Sequence, residues 1–193
     1  MSLSRATAFI ACALSTGANA HTERQHGTHE HGAAHLTISQ DGRQLAIEFE
    51  SPWYNLVGFG HAPADEIQQE TVDTALAAIE DGERLFAPGK GCALLEVTLE
   101  SSMARPGEHG HGETHAAGHV VHDHDEAHGA DGHSDLRASY SFECDTMPTV
   151  LNAHPGMYFP RIESIEVQMA GPGGQDAQRL DADDTSISLE RIQ

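Results

Sequence analysis

The chain has 193 residues, of which 30 are acidic and 10 are basic, and its formal net charge is −20. This charge argues against nucleic acid as a partner, because phosphates are bound through Lys and Arg, and against anionic membrane surfaces. It favours cations as ligands, although the same acidity would also serve solubility alone.

The first twenty residues have the features of a signal peptide. Residues 1–5 supply a short charged start, Ala6–Leu14 an apolar run, and Ala18-Asn19-Ala20 a small-x-small cleavage site. We therefore expect cleavage after Ala20 and an exported protein. The apolar run is shorter than the roughly 20 residues that a membrane-spanning helix needs, and no other segment is apolar enough to span a bilayer. The alternative is a lipoprotein signal at Phe9-Ile10-Ala11-Cys12, whose first position Phe9 fits poorly.

The mature chain opens with a histidine-rich tail over residues 21–34. Its candidate metal ligands are His26, His29 and His31, and His21 with the new terminal amine offers a weaker pair. Imidazole suits Zn, Cu and Ni. His35 starts the first predicted strand, so it is the best anchored of these ligands and can belong to a preorganised site. The competing interpretation is that His35 merely begins the strand.

A hairpin and a helix are predicted next. Residues 35–39 and 44–50 alternate apolar and polar side chains around Asp41-Gly42, which predicts a β-hairpin. Its buried face would hold Leu36, Ile38, Leu45, Ile47 and Phe49. Residues 64–81 carry apolar side chains at helical spacing and end at Gly82, which predicts a helix. The buried side of that helix would hold Ile67, Val72, Ala75, Leu76 and Ile79.

The remaining pattern is mostly strand. Residues 93–100, 136–144 and 161–169 are predicted strands, and residues 178–180 and 185–189 could form a last short hairpin. The sequence therefore predicts one α+β domain over residues 35–193, with a mostly antiparallel sheet, one main helix packed on it and a long disordered His-rich loop inserted between strands. His61 and His154 each stand alone in a predicted loop, where a histidine is more often structural or incidental than a ligand.

The insertion, residues 105–135, is the most distinctive part of the sequence. From Pro106 to Asp135 it contains seven carboxylates, six glycines and no Lys or Arg. Its eight histidines are His109, His111, His115, His119, His122, His124, His128 and His133. Several are three or four residues apart, so metal binding could fold part of the segment. Because zinc takes three or four ligands, these histidines could serve roughly two ions; the competing interpretation is an idle soluble loop.

Two cysteines remain in the mature chain, because Cys12 leaves with the signal peptide. In an exported protein, Cys92 and Cys144 are most simply one disulfide, which would also pin both ends of the insertion. A Cys-His zinc site on the same thiolates is the alternative.

Catalytic motifs do not accompany these ligands. The sequence has no His-Glu-x-x-His, no Gly-x-Ser-x-Gly and no phosphate-binding glycine loop. Catalytic metal sites use rigid ligands with an open position, whereas these clusters lie in tethers. We therefore expect a binding protein and not an enzyme.

Several stretches are similar to one known family. They are His29-Glu-His-Gly-Ala-Ala-His35-Leu-Thr-Ile, Phe49-Glu-Ser-Pro, Leu56-Val-Gly-Phe-Gly-His61-Ala-Pro63, Leu85-Phe86, the glycine before Cys92, the insertion, and the strand ending at Cys144. Together they resemble the zinc-regulated, His-rich periplasmic proteins of Gram-negative bacteria, the ZrgA-like family. The resemblance covers nearly the whole mature chain.

The resemblance implies a periplasmic zinc-binding protein, induced when zinc is scarce, that captures or buffers Zn²⁺. It also implies support of zinc uptake beside an ABC importer and its solute-binding protein. The ligands would be His29, His31, His35 and the insertion histidines, joined by His61, which lies inside a family motif. Copper or nickel sequestration is an alternative, because Cu²⁺ and Ni²⁺ also bind imidazole. A module that docks a transporter and holds structural zinc is a third hypothesis.

Overall fold

The computed structural model describes residues 31–103, 134–181 and 183–193. In chain order its elements are β1 (Ala33–Asp41), β2 (Gln44–Pro52), α1 (Trp53–Val57), α2 (Glu66–Glu80), α3 (Gly82–Leu85), β3 (Phe86–Ala87), β4 (Cys92–Ser101), β5 (Asp135–Cys144), β6 (Val150–Ala153), α4 (Pro155–Tyr158), β7 (Ser164–Gly171), β8 (Gly174–Asp181), β9 (Ser186–Ser188) and the 3-10 helix η1 (Glu190–Ile192). The predicted signal peptide and most of the predicted metal ligands lie outside the described residues.

The larger sheet has six strands in the order β4-β5-β2-β1-β7-β8. Its neighbouring strands are antiparallel except β1 and β7, which run parallel. The predicted hairpin is confirmed, because β1 pairs with β2 as far as Asp41 and Gln44. Gly42 lies in the turn between them with a φ of 57°, a conformation that glycine adopts at little cost. The parallel pair joins the first hairpin to the last part of the chain.

A second, antiparallel sheet of three strands, β3-β6-β9, packs with the short helices against one face of the larger sheet. The ring of Phe86 in β3 lies 5.0 Å from that of Tyr140 in β5 and 6.2 Å from that of Phe49 in β2. The Tyr140 hydroxyl donates to the carbonyl of Ile79 in α2 at 2.8 Å, and burial raises the pKa of Tyr140, so the hydroxyl keeps its proton. The core therefore lies between this layer and the inner face of the larger sheet.

The prediction of an α+β fold with one main helix packed on the sheet is wrong. Strands hold 48% of the described residues and helices only 23%, and the helical residues are divided among several small helices. The predicted helix buries only Val72, Ala75 and Ile79 fully, while Ile67 is 76% exposed. Residues 178–180 and 185–189 do not form a hairpin, because β8 pairs with β7 and β9 pairs with β6. Within the described ranges, no helix is long and apolar enough to cross a membrane.

A disulfide joins Cys92 of β4 to Cys144 of β5, which confirms the predicted pairing. Both sulfurs are used in this bond, so they do not form the alternative zinc site. The two cysteines pair at one end of β4 and β5, whereas Ser101 and Leu136 pair at the other end, next to the insertion. The expectation that the bridge pins both ends of the insertion is therefore wrong.

Candidate metal-binding site

The points where both histidine-rich segments join the fold lie at one end of the larger sheet. β1 begins there at Ala33, within the last two residues of the tail. β4 ends there at Ser101 and β5 begins there at Asp135, on either side of residues 104–133. The register proves the alignment, because His35 pairs with Glu50 and Glu50 pairs with Arg137. We call this end of the sheet, marked by Ala33, Ser101 and Asp135, the insertion end.

The short helix α1 fixes all three of these points. The backbone N–H of Gly32 donates to Asn55 Oδ1 at 2.9 Å, and Asn55 Nδ2 donates to the carbonyl of Ala33 at 2.8 Å. The backbone N–H of Trp53 donates to the carbonyl of Ser134 at 2.9 Å, and its indole Nε1 donates to Ser101 Oγ at 3.0 Å. Asn55 is buried, so its two hydrogen bonds are shielded from water.

The two flanks of residues 104–133 are also held to each other. The backbone N–H of Ser102 donates to the carbonyl of Asp135 at 3.1 Å, and the N–H of Asp135 donates to Ser102 Oγ at 2.7 Å. Ser134 Oγ donates to the carbonyl of Gly60, which precedes His61. The insertion thus leaves and rejoins the sheet at one place, beside the loop that carries His61.

We expect Asn55→Ala to lower the free energy of unfolding by about 3 kcal/mol, because it leaves a buried N–H of Gly32 and a buried carbonyl of Ala33 without their partner. Urea denaturation followed through the single tryptophan, Trp53, measures the loss. The matched control is Asn152→Ala on the exposed side of β6, which should change stability by less than about 0.5 kcal/mol. Equal effects from both variants would contradict the assigned role of Asn55.

Three of the predicted ligands are described, and each is held differently. His31 packs its ring edge-on against Tyr54, with centroids 4.4 Å apart. His35 projects from the outer face of β1, where it is exposed. His61 stacks on Phe59 at 5.1 Å, and its Nδ1 bonds to the carbonyl of Ala62 at 2.8 Å. A carbonyl only accepts, so Nδ1 carries the proton and Nε2 keeps the lone pair that a metal would use.

The other predicted ligands lie outside the described residues. They are His26, His29, His109, His111, His115, His119, His122, His124, His128 and His133. Among residues 31–103, 134–181 and 183–193, no group of three or more His, Cys, Asp or Glu side chains is arranged to hold a metal ion. The structure therefore places His31, His35 and His61 near the insertion end without gathering them into a three-ligand site.

A row of alternating charges crosses the outer face of the sheet at this end, one residue from each strand. From β4 to β8 the row is Glu100, Arg137, Glu50, His35, Glu166 and Arg179. Arg137 Nη2 donates to Glu50 Oε2 at 2.9 Å, and this hydrogen bond together with the charge of Glu50 raises the pKa of Arg137. Arg179 Nη1 donates to Glu166 Oε1 at 3.2 Å. His35 Nδ1 lies 3.7 Å from Glu166 Oε2.

Sequence reasoning missed the two carboxylates beside His35. The alternation within residues 44–50 and 161–169 does assign Glu50 and Glu166 to the polar faces of their strands. It carries no signal for the parallel pairing that sets Glu166 beside His35.

A family model described as "ZrgA family zinc uptake protein" matches residues 28–189. The matched range includes the insertion and every described strand. A comparison with curated proteins gave no match.

Proposed function

Because the chain belongs to the ZrgA family of zinc uptake proteins, we propose that it is a periplasmic zinc-binding protein that captures or buffers Zn²⁺ and supports zinc uptake beside an ABC importer. The observation that carries the proposal is that both histidine-rich segments join the sheet at the insertion end, with His35 exposed in the strand that follows the tail. A signal-like start and a disulfide, which persists in oxidising compartments, support export.

The proposed action is binding and release without chemistry on the ion. The net charge of −20 raises the local concentration of divalent cations. Neutral imidazoles of the tail and the insertion then ligate the zinc, and the insertion alone supplies ligands for roughly two ions. Since the sheet fixes both segments at one end, the bound metal would be presented to a partner on a single side of the protein.

The test combines uptake with binding. In a Gram-negative host that lacks its own copy, the full-length protein should restore growth under zinc chelation, and added zinc should make it dispensable. The zinc-free solute-binding protein of the importer should acquire zinc when it is mixed with the zinc-loaded chain. Native mass spectra, recorded after the two proteins are separated, would show the transfer. Unimpaired growth of the deletion strain under chelation, or absence of zinc binding by the purified chain, would contradict the proposal.

Zinc binding should weaken steeply as the pH falls through about 6.5, because a protonated imidazole has no lone pair for the metal and the ordinary pKa of His is about 6.5. For a site with three histidines the apparent affinity should fall about a thousandfold per pH unit below that value. Competition titration with a chromogenic chelator between pH 7.5 and 5.5 measures the fall. Binding that persists to about pH 4.5 would instead indicate carboxylate ligands.

A further inference from the structure

His35 stands between two carboxylates that are already oriented by arginines. On one side Glu166 Oε1 accepts a hydrogen bond from Arg179, whose Nη2 also donates to Ser164 Oγ at 3.0 Å. On the other side Glu50 Oε2 accepts a hydrogen bond from Arg137. Each arginine occupies one carboxylate oxygen, so the bond to Arg179 leaves Glu166 Oε2 directed at the imidazole of His35.

The spacing of the two facing atoms suits a metal ion better than a hydrogen bond. His35 Nδ1 and Glu166 Oε2 are 3.7 Å apart, which is beyond hydrogen-bonding range. In a tetrahedral zinc site with bonds of about 2.0–2.1 Å, neighbouring ligand atoms are about 3.3 Å apart. A shift of a few tenths of an ångström would therefore allow both atoms to bind one ion.

The exposure of His35 and Glu166 and their position in the sheet also suit a metal site. The side chains of His35 and Glu166 are 57% and 47% exposed, so a hydrated ion can reach them and keep water in its remaining positions. His35 lies three residues after Gly32, where the tail joins the fold, and Arg137 follows Asp135 by two residues. The pair thus lies beside the point where the tail meets the sheet and two strands away from β5, where the insertion rejoins it.

We infer that His35 Nδ1 and Glu166 Oε2 form a two-ligand divalent-cation site on the outer face of the larger sheet. This inference rests on the proposed function, since it assumes that the protein binds zinc. The two ligand atoms already face each other, and water completes the coordination of the ion. Such a two-ligand site binds zinc more weakly than a closed four-ligand site and releases it readily to a partner.

Arg179 is a positioning residue in this site. It holds the oxygen of Glu166 that the metal does not use, as groups that hydrogen-bond to metal ligands commonly do. Its loss should weaken binding at His35 by about ten- to a hundredfold, although Arg179 itself carries no metal-ligating atom.

The experiment measures zinc binding at His35 by NMR. The full mature chain is labelled with ¹⁵N in its histidine rings and titrated with zinc. Long-range ¹H–¹⁵N spectra report each imidazole nitrogen, and His35→Asn assigns the His35 signals. In the unsubstituted protein, Nδ1 of His35 should show direct ligation. Glu166→Gln should raise the apparent Kd for zinc at His35 at least tenfold. Arg179→Gln should raise it about ten- to a hundredfold.

Glu143→Gln is the matched control. Glu143 is an outer-face carboxylate, 51% exposed and paired with an arginine, Arg43, but it lies near the opposite end of the sheet. The Glu143→Gln substitution removes the same charge as Glu166→Gln and should leave zinc binding at His35 unchanged. Backbone amide spectra verify that each variant is folded.

The outcomes separate this inference from the proposed function. If the other histidines respond to zinc and His35 Nδ1 does not, the site is overturned and the proposed function stands. If His35 responds equally in the unsubstituted protein and in Glu166→Gln, the pairing with Glu166 is overturned. If no histidine responds, the proposed function fails as well.

Discussion

Replacing the eight insertion histidines with asparagine should remove about two of the zinc ions that the mature chain binds, as counted by native mass spectrometry. Asparagine keeps the length, polarity and carboxylates of residues 106–135 and removes only the imidazoles. The ligand count sets the size of the effect, because three or four nitrogens are needed for each ion. Any zinc that remains would be bound through the tail or the sheet.

A second variant separates ligation from charge attraction. Converting the six carboxylates between residues 106 and 133 to amides retains every histidine; they are Glu108, Glu113, Asp123, Asp125, Glu126 and Asp131. This variant should bind the same number of ions with a lower affinity and a weaker dependence on salt. An unchanged ion count in the asparagine variant would contradict the assignment of the insertion as the main zinc ligand.

Both variants should keep the fold, because the flanks of the insertion are fixed by described residues. Ser101 pairs with Leu136, and Ser102 and Asp135 exchange hydrogen bonds, so β4 and β5 form their ladder up to that point. Met103 and Ser134 are buried beside it. None of the substituted positions lies in this ladder. A loss of zinc can therefore be attributed to the ligands and not to unfolding.

Patterns among residues close together in the sequence predicted the elements of this fold that form between such residues. The β1–β2 hairpin follows from period-two alternation around Asp41-Gly42. The disulfide follows from an even pair of cysteines in a chain with a signal-like start. His35 was predicted at the start of a strand and lies in β1, although its role as a ligand stays a prediction.

The parts that depend on distant contacts were not predictable in this way. The β1–β7 pair joins opposite ends of the chain, and its register decides that Glu166 faces His35. The strands of the smaller sheet have two to four residues, too few to show alternation. Gly82 suggests only a helix end, whereas a Cβ there would lie 2.5 Å from the ring of Tyr140. The close packing of α3 against β5 is therefore what requires a glycine at position 82.

Removing the disulfide should lower the free energy of unfolding by more than Asn55→Ala does. The bridge spans 52 residues, and the entropy of closing such a loop corresponds to about 4 kcal/mol. We therefore expect Cys92→Ala combined with Cys144→Ala to lower the free energy of unfolding by about 4 kcal/mol in urea, monitored through Trp53 fluorescence. Reduction of the unsubstituted protein is the matched control, since it breaks the same bond without altering the chain's length or its core side chains.

Zinc capacity should respond differently from stability in these variants. The bridge lies at the end of β4 and β5 opposite the insertion, where the backbone N–H of Cys144 donates to the carbonyl of Arg43 and that of Asp145 to the carbonyl of Gly91. Those hydrogen bonds remain after reduction, so the strands should stay paired and the insertion end intact at low temperature. The number of bound zinc ions should therefore be unchanged below the unfolding transition. A fall in ion count together with the loss of the bridge would mean that the two ends of the sheet are coupled, or that the thiols themselves contribute to zinc binding.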